Sequence, residues 1–300
     1  MNIIKPSVEL ITPLGYDIDS IKKHIELCGK VCYKSEDNIT QSSYAAFYDK
    51  IKSNQHLSVL EHGTVYLRIT HDEDDKSDIS KPLIEKILTE DPHTIVNTGI
   101  NMDGNDSGIS LYITTNMRVL EENNLYDKAL KYITEPTQCH DKRYTLKFIL
   151  PISISREFIR HRHFSFSEMS TRYCNFSKNK FDNQITFIQP EWFKSDCAGS
   201  YLSKLEILSK TPIDGYGNGE ELFLEYLINC ERNYMKLINI GLKAQDAREL
   251  LPLNTKTELI MTGFEKDWKH FFKLRCDKKA HPMAQILANK AKDILDIQPL

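Results

Sequence analysis

Apolar positions recur along the chain with two spacings, and the change from one to the other marks out its elements. Ile21, Ile25, Cys28 and Val31 in DSIKKHIELCGKVC are spaced like a helix face behind a capping aspartate. TQSSYAAFYDKIKS repeats that spacing with Tyr44, Phe47 and Ile51. TVYLRIT then switches to alternation, with Val65, Leu67 and Ile69 on one side, and predicts a strand. Further on, PLIEKILTE and the stretch around LYDKALKYI predict helices, and ISLYIT predicts a strand. The tracts HDEDDKSD (71–78) and MDGNDSG (102–108) predict loops.

YTLKFILP predicts a clear strand, SREFIRH a short helix, and QITFIQP another strand. The longest amphipathic pattern is GEELFLEYLINCERNYMKLINIG, with Leu222, Tyr226, Leu227, Cys230 and Tyr234 expected on one side. AQDAREL reads as a short helix halted by Pro252, TELIMTG as a strand, and EKDWKHFFKLR as a helix. Pro282 is placed to open the last helix, since its fixed φ and missing N–H suit a first turn. Helices alternating with a few strands give an α+β (α/β mixed) class. No linker divides the chain, so residues 1–300 read as one domain with an insertion at about 71–143.

Composition narrows the function. A 40% hydrophobic fraction in 300 residues supports a sizeable core. A net charge of -3 gives no general attraction to nucleic acid or anionic membrane, so any anion site must be local. Seven scattered cysteines without a C-x-x-C suggest free thiols in a reducing compartment. The N-terminus lacks a signal-peptide pattern and no apolar run reaches membrane-spanning length, so the cytoplasm is expected.

Against that background stands RHRHFSFSEMSTRY, Arg160 to Tyr173. Three arginines and three serines lie within it, after an apolar run. Arginine offers a planar fork of donors matched to phosphate and stays charged at any working pH. Flanking Phe158, Ile159, Phe164 and Phe166 argue that the segment is not freely solvated. A turn whose arginines only pair with nearby carboxylates is the bland alternative.

This stretch resembles the signature of flavin-dependent thymidylate synthases, R-H-R-x-x-S-x-N-E-x-S-x-R-Y. Arg160, His161, Arg162, Ser165, Glu168, Ser170, Arg172 and Tyr173 match it, and Ser167 stands where the pattern has Asn. LEHGT, DARELLPLNTKTEL and FFKLRCDKKAHPMAQ resemble further segments of the same family, in family order. The resemblance implies a largely antiparallel sheet flanked by helices. It implies conversion of dUMP to dTMP with FAD, NADPH and 5,10-methylenetetrahydrofolate, in a homotetramer whose subunits share active sites. Carried over by position, His62, Thr64, Arg160, His161, Arg162, Glu168 and His270 would bind FAD. Glu157, Arg160, Glu168, Ser170, Arg172, Arg248 and Arg275 would bind dUMP, with Arg275 as the catalytic residue. Glu157, His270 and Phe264 replace a family Gln and two Asn.

Other readings compete. The cysteine mechanism of the classical thymidylate synthase needs a Pro-Cys-His setting, and only Cys139 precedes a histidine, after Gln138. Ser170 lacks an evident base for nucleophilic work. His161 with His163, or Cys139 with His140, could chelate a metal, but a flavin contact and a packed or solvated side chain are expected instead. An inactive homologue remains open, as does a single-stranded nucleic-acid-binding protein using RHRHF and its aromatic neighbours.

Overall fold

A computed structural model describes residues 1–70, 80–100, 109–193 and 219–297. The tracts 71–78 and 102–108 lie outside them. At the centre are β6 (Arg143–Pro151) and β9 (Lys256–Phe264), paired antiparallel along their whole length from Arg143↔Phe264 to Pro151↔Lys256. β2 (Ser7–Leu10) joins the far edge of β6, and β7 (Ser165–Glu168) joins β9, giving the order β2-β6-β9-β7. Every pairing in this sheet is antiparallel.

The alternation that predicted these strands also sorts their side chains to two faces. Leu146, Phe148, Leu150, Leu259 and Met261 share one fully buried apolar face. It is covered by α6 (Ile152–Phe158), α9 (Glu265–Arg275) and α10 (Pro282–Leu295) through Phe158, Trp268, Phe271, Phe272 and Leu287. The opposite face carries Thr145, Lys147, Glu258 and Thr262, and α1 (Ile18–Lys30) reaches it through His24. There buried Glu258 meets Lys34 at 2.8 Å, Lys147 at 2.9 Å, and Lys256. These cations outweigh the cost of burial and hold the Glu258 carboxyl at about 2.

A second sheet, β3-β5-β4, is also antiparallel and comprises β3 (Thr64–Thr70), β4 (Ile95–Ile100) and β5 (Ile109–Asn116). Its apolar side packs on α1, α2 (Ser43–Ser53), α3 (Ser80–Glu90) and α4 (Met117–Glu122). The short β1 (Asn2–Ile4) and β8 (Thr186–Ile188) pair in parallel beside α7 (Gly219–Asn239). α5 (Tyr126–Ala129) and α8 (Ala244–Ala247) are single turns, each running into a 3-10 turn.

The fold matches the expected mixed class and antiparallel pairing, with local differences. The cap of α1 is Asp17, whose Oδ1 accepts from the N–H groups of Asp19 and Ser20 at 3.0 Å each. On α7, Leu222 and Tyr226 are half-exposed while Leu224 is buried, so the inward stripe is rotated from the one expected. The helix around LYDKALKYI shortens to α5 and its 3-10 turn.

Trp268 is fully buried against Phe148, Phe164, Phe271 and Phe272. Trp268→Ala should lower the unfolding free energy by about 3–5 kcal/mol in urea titration, because the cavity cannot collapse against rigid rings.

Candidate active site

The arginine-rich turn is shaped by what precedes and follows it. After α6, His161 N–H donates to the Phe158 carbonyl at 3.0 Å, and Phe164 N–H to the His161 carbonyl at 3.1 Å. The tight turn drives Phe164 into the core while Arg160, Arg162 and His163 stay exposed. Phe164 lies directly over Gly263 of β9, where a Cβ would meet its ring carbons at 2.6 Å. Glycine there is what lets the turn seat on the sheet.

Arg275, the last residue of α9, reaches back to this turn. Its Nη1 donates to Glu157 Oε2 at 2.8 Å, its Nη2 to the Glu157 carbonyl at 2.7 Å, and its Nε to His161 Nε2 at 2.9 Å. A guanidinium can only donate, so His161 Nε2 is the acceptor and the neutral ring carries its proton on Nδ1. Burial, then the Arg275 charge and His270, push His161 down to about 4, which keeps it in that form. Three of the five donors of Arg275 are thereby fixed, and one on each Nη remains for a ligand.

β7 runs through the motif. Backbone pairing with β9 points Ser165 and Ser167 inward. Glu168, half-buried at the strand end, accepts from Ser155 Oγ of α6 at 2.5 Å, and burial raises its carboxyl. Ser167 Oγ is 3.0 Å from His62 Nε2, and His62 Nδ1 is 2.8 Å from Thr262 Oγ1. The chain continues through Thr145 Oγ1 at 2.8 Å to His24 Nε2 at 3.1 Å. All five side chains are buried.

Beyond β7, Ser170 N–H donates to the Cys32 carbonyl at 2.9 Å, and the Tyr173 ring lies 5.2 Å from that of Tyr33. Arg172 sits over Tyr173 at 4.9 Å. Cys32 and Tyr33 are also one wall of a cavity of about 540 Å³, whose other walls include His56, Ser58, Leu57 and Arg118. Arg118 is held there by Glu61 and, at 2.8 Å, by Glu122.

The structure therefore joins Glu157, His161 and Arg275 directly, with the His270 ring 6.4 Å from that of His161. Arg160, Arg162, Arg172, Arg248 and His270 are exposed, and none of these arginines forms an ion pair among the described residues. Among those residues the side-chain bonds of the Arg275 cluster run to Glu157 and His161 and not to Arg248. Two of the residues expected at the flavin are engaged within the fold. His62 is wholly buried, and its two ring nitrogens lie at hydrogen-bond distance from Thr262 and Ser167. The Thr64 hydroxyl accepts from Arg143 Nη1 at 3.2 Å. Glu157, expected at the nucleotide, is first of all the ion-pair partner of Arg275. The cavity residues Cys32, His56 and Ser58 were not among the expected set, although His56 and Ser58 lie just upstream of LEHGT.

Fold and site together define a mixed sheet-and-helix protein with an arginine-lined surface suited to anionic ligands. Residues 90–298 match the family described as thymidylate synthase complementing protein, and the chain belongs to that family. The flavin-dependent thymidylate synthase of Mycolicibacterium vanbaalenii is 28% identical over 152 residues, 49% of this chain and 55% of that protein. That of Synechocystis is 25% identical over 151 residues, 50% of this chain and 64% of its own. The Rickettsia bellii protein of the same description is 27% identical over 237 residues, 71% of this chain and 77% of its own. The chain thus spans between half and two-thirds of the first two. The crystal structure of thymidylate synthase X from Helicobacter pylori with FAD and dUMP covers 51% of this chain and 66% of its own, with 20% identity and a TM-score of 0.36.

Burial pushes His62 to about 3 and His24 to about 4, from an ordinary 6.5. Below pH 6.5 the unfolded chain therefore takes up more protons than the folded one. Stability is full above that pH and falls as pH drops toward the folded values, by up to about 1.4 kcal/mol per pH unit for each histidine. Unfolding titrations from pH 7 to pH 4 should show this slope, and His62→Gln should remove one histidine's share. An unchanged slope in the variant would mean that His62 is protonated in the fold.

Proposed function

We propose that this chain is a flavin-dependent thymidylate synthase, a methyltransferase that converts dUMP to dTMP. The one-carbon donor would be 5,10-methylenetetrahydrofolate and the reductant NADPH, with FAD as cofactor. The observation that carries this reading is the Arg275 cluster. A fixed guanidinium with two unused donors stands beside a turn that exposes Arg160 and Arg162.

The residues fit the groups involved. A pyrimidine nucleotide carries a phosphate and a polar ring edge. Exposed Arg160, Arg172 and Arg248 have no carboxylate partners among the described residues and supply phosphate donors. Arg275 would face the uracil, and its remaining N–H groups would stabilise negative charge on the ring oxygen and so enrich C5 in electron density. Glu157 and His161 do not react; they hold the plane of Arg275 in place. Glu168, kept by Ser155, is available to accept from the pyrimidine or cofactor.

Arg160, His161, Arg162 and His270 would hold FAD, and His56, Ser58 and Arg118 of the cavity beside Tyr33 offer further polar groups. When bound in reduced form, its chemistry is hydride donation. His62 and Thr64 support this region from behind through Ser167 and Arg143. In the proposed homotetramer, the exposed Arg172 and Ser170 segment would serve the site of a neighbouring subunit. The cytoplasm suits an enzyme with free thiols; the six described cysteines are all unpaired. No described helix is long and apolar enough to cross a membrane.

Arg275→Lys should lower dTMP formation by about 10²–10³-fold while FAD stays bound, since an ammonium cannot hold three acceptors in one plane. Purified protein with FAD, reduced anaerobically by NADPH, should bleach at a rate altered by dUMP. Failure to bind flavin at all would remove the synthase reading.

A further inference from the structure

A second cavity, of about 420 Å³, opens between the chain following β2 and the start of β6. It contains none of the motif residues Arg160 to Tyr173. Tyr16, Tyr66 and Tyr144 line it, with Pro136 and Thr137 from the region just before β6. Arg143 stands among them as its charged group, and Lys142 adds a second cation at the exposed side.

Arg143 is an uncommon arginine. Its Nη1 donates to the Glu61 carbonyl at 3.1 Å and to Thr64 Oγ1 at 3.2 Å, and its Nη2 to Ser165 Oγ at 3.4 Å. The face of Phe264 lies 5.3 Å away. Each of these partners is neutral, and no carboxylate of the described residues comes within ion-pair distance. Nε, shielded from water, has no hydrogen-bond partner there. A desolvated guanidinium without an anion is costly, because the fixed dipoles around it do not cancel its charge. The two donors left over are the Nε–H and one Nη2–H. Nε and Nη2 share the edge of the fork that can take a carboxylate with two parallel bonds. Arg143 is itself one of the residues that line the cavity.

The walls say what the rest of the ligand resembles. Tyr16 and Tyr66 meet edge to face at 5.1 Å, and Leu10, Ile11 and Pro13 add apolar surface. Flat aromatic walls favour a flat ring, and the volume falls within the range of small-molecule sites. We propose that this cavity binds a small aromatic carboxylate, with its carboxylate on Arg143 and its ring among the tyrosines.

Calorimetric titration of the full chain with benzoate, and with uncharged benzamide of the same shape, tests this. Benzoate should bind at least about tenfold more tightly than benzamide. Arg143→Met should abolish that preference. Because Arg143 also supports Glu61 and Thr64, a second variant is needed. Gln138 is exposed at the rim, and Gln138→Trp should block entry without disturbing the core. Loss of benzoate binding in both variants supports the site. No benzoate binding by the wild type, or equal binding by the wild type and Gln138→Trp, would overturn it.

Discussion

Everything near the candidate site depends on the long antiparallel pairing of β6 with β9. Nine residues of each strand run side by side, and the pleat sends their side chains to two unlike faces. One face is the main apolar core. The other is a layer of hydroxyls, histidines and ions sealed beneath α1. A slip of one residue would bring Glu258 and Thr262 into the rings around Trp268, so the register is strongly fixed. That fixed register seats β7 on β9, and β7 carries Ser167 and Glu168. It also places Arg143 opposite Phe264 at the strand ends.

The candidate cluster is assembled at the end of this frame from three separate pieces. α6 gives Glu157, the turn gives His161, and α9 gives Arg275. None of the three is a strong binder alone. Together they convert a flexible arginine into a flat, oriented donor, and the neutral state of His161 is part of that. A charged imidazole at 2.9 Å would repel the group it now orients. Orientation before binding lowers the ordering cost of holding an anionic ring.

Much of this was readable in the sequence where local pattern and long-range structure agree. β6, β9, α9 and α10 follow from alternation, helical spacing and Pro282. Where a strand is short or has polar residues inside, local pattern fails. β7 holds buried Ser165 and Ser167 on one side and half-buried Phe166 on the other, so its period runs opposite to a normal half-buried strand. β4 mixes Ile95 and Val96 with Asn97, Thr98 and Gly99 and becomes a strand because β5 lies beside it. The motif arginines were legible as chemistry. Which of them is clamped was not, because Glu157 and Arg275 lie 118 residues apart. The occupied ring nitrogens of His62 were equally hidden, since Ser167 and Thr262 meet it only in the fold.

The hydrogen bonds around His62 bear on how departures from a motif should be scored. Compared position by position, Ser167 is a lost asparagine. In the folded chain it is one end of a matched set, with its hydroxyl fitted to a histidine that Thr262 holds from the other side. Without the Ser167 hydroxyl, His62 Nε2 would lose this partner. A single mismatch to a motif is therefore weighed with the side chains that the fold sets against it, and read alone it misjudges the site's integrity.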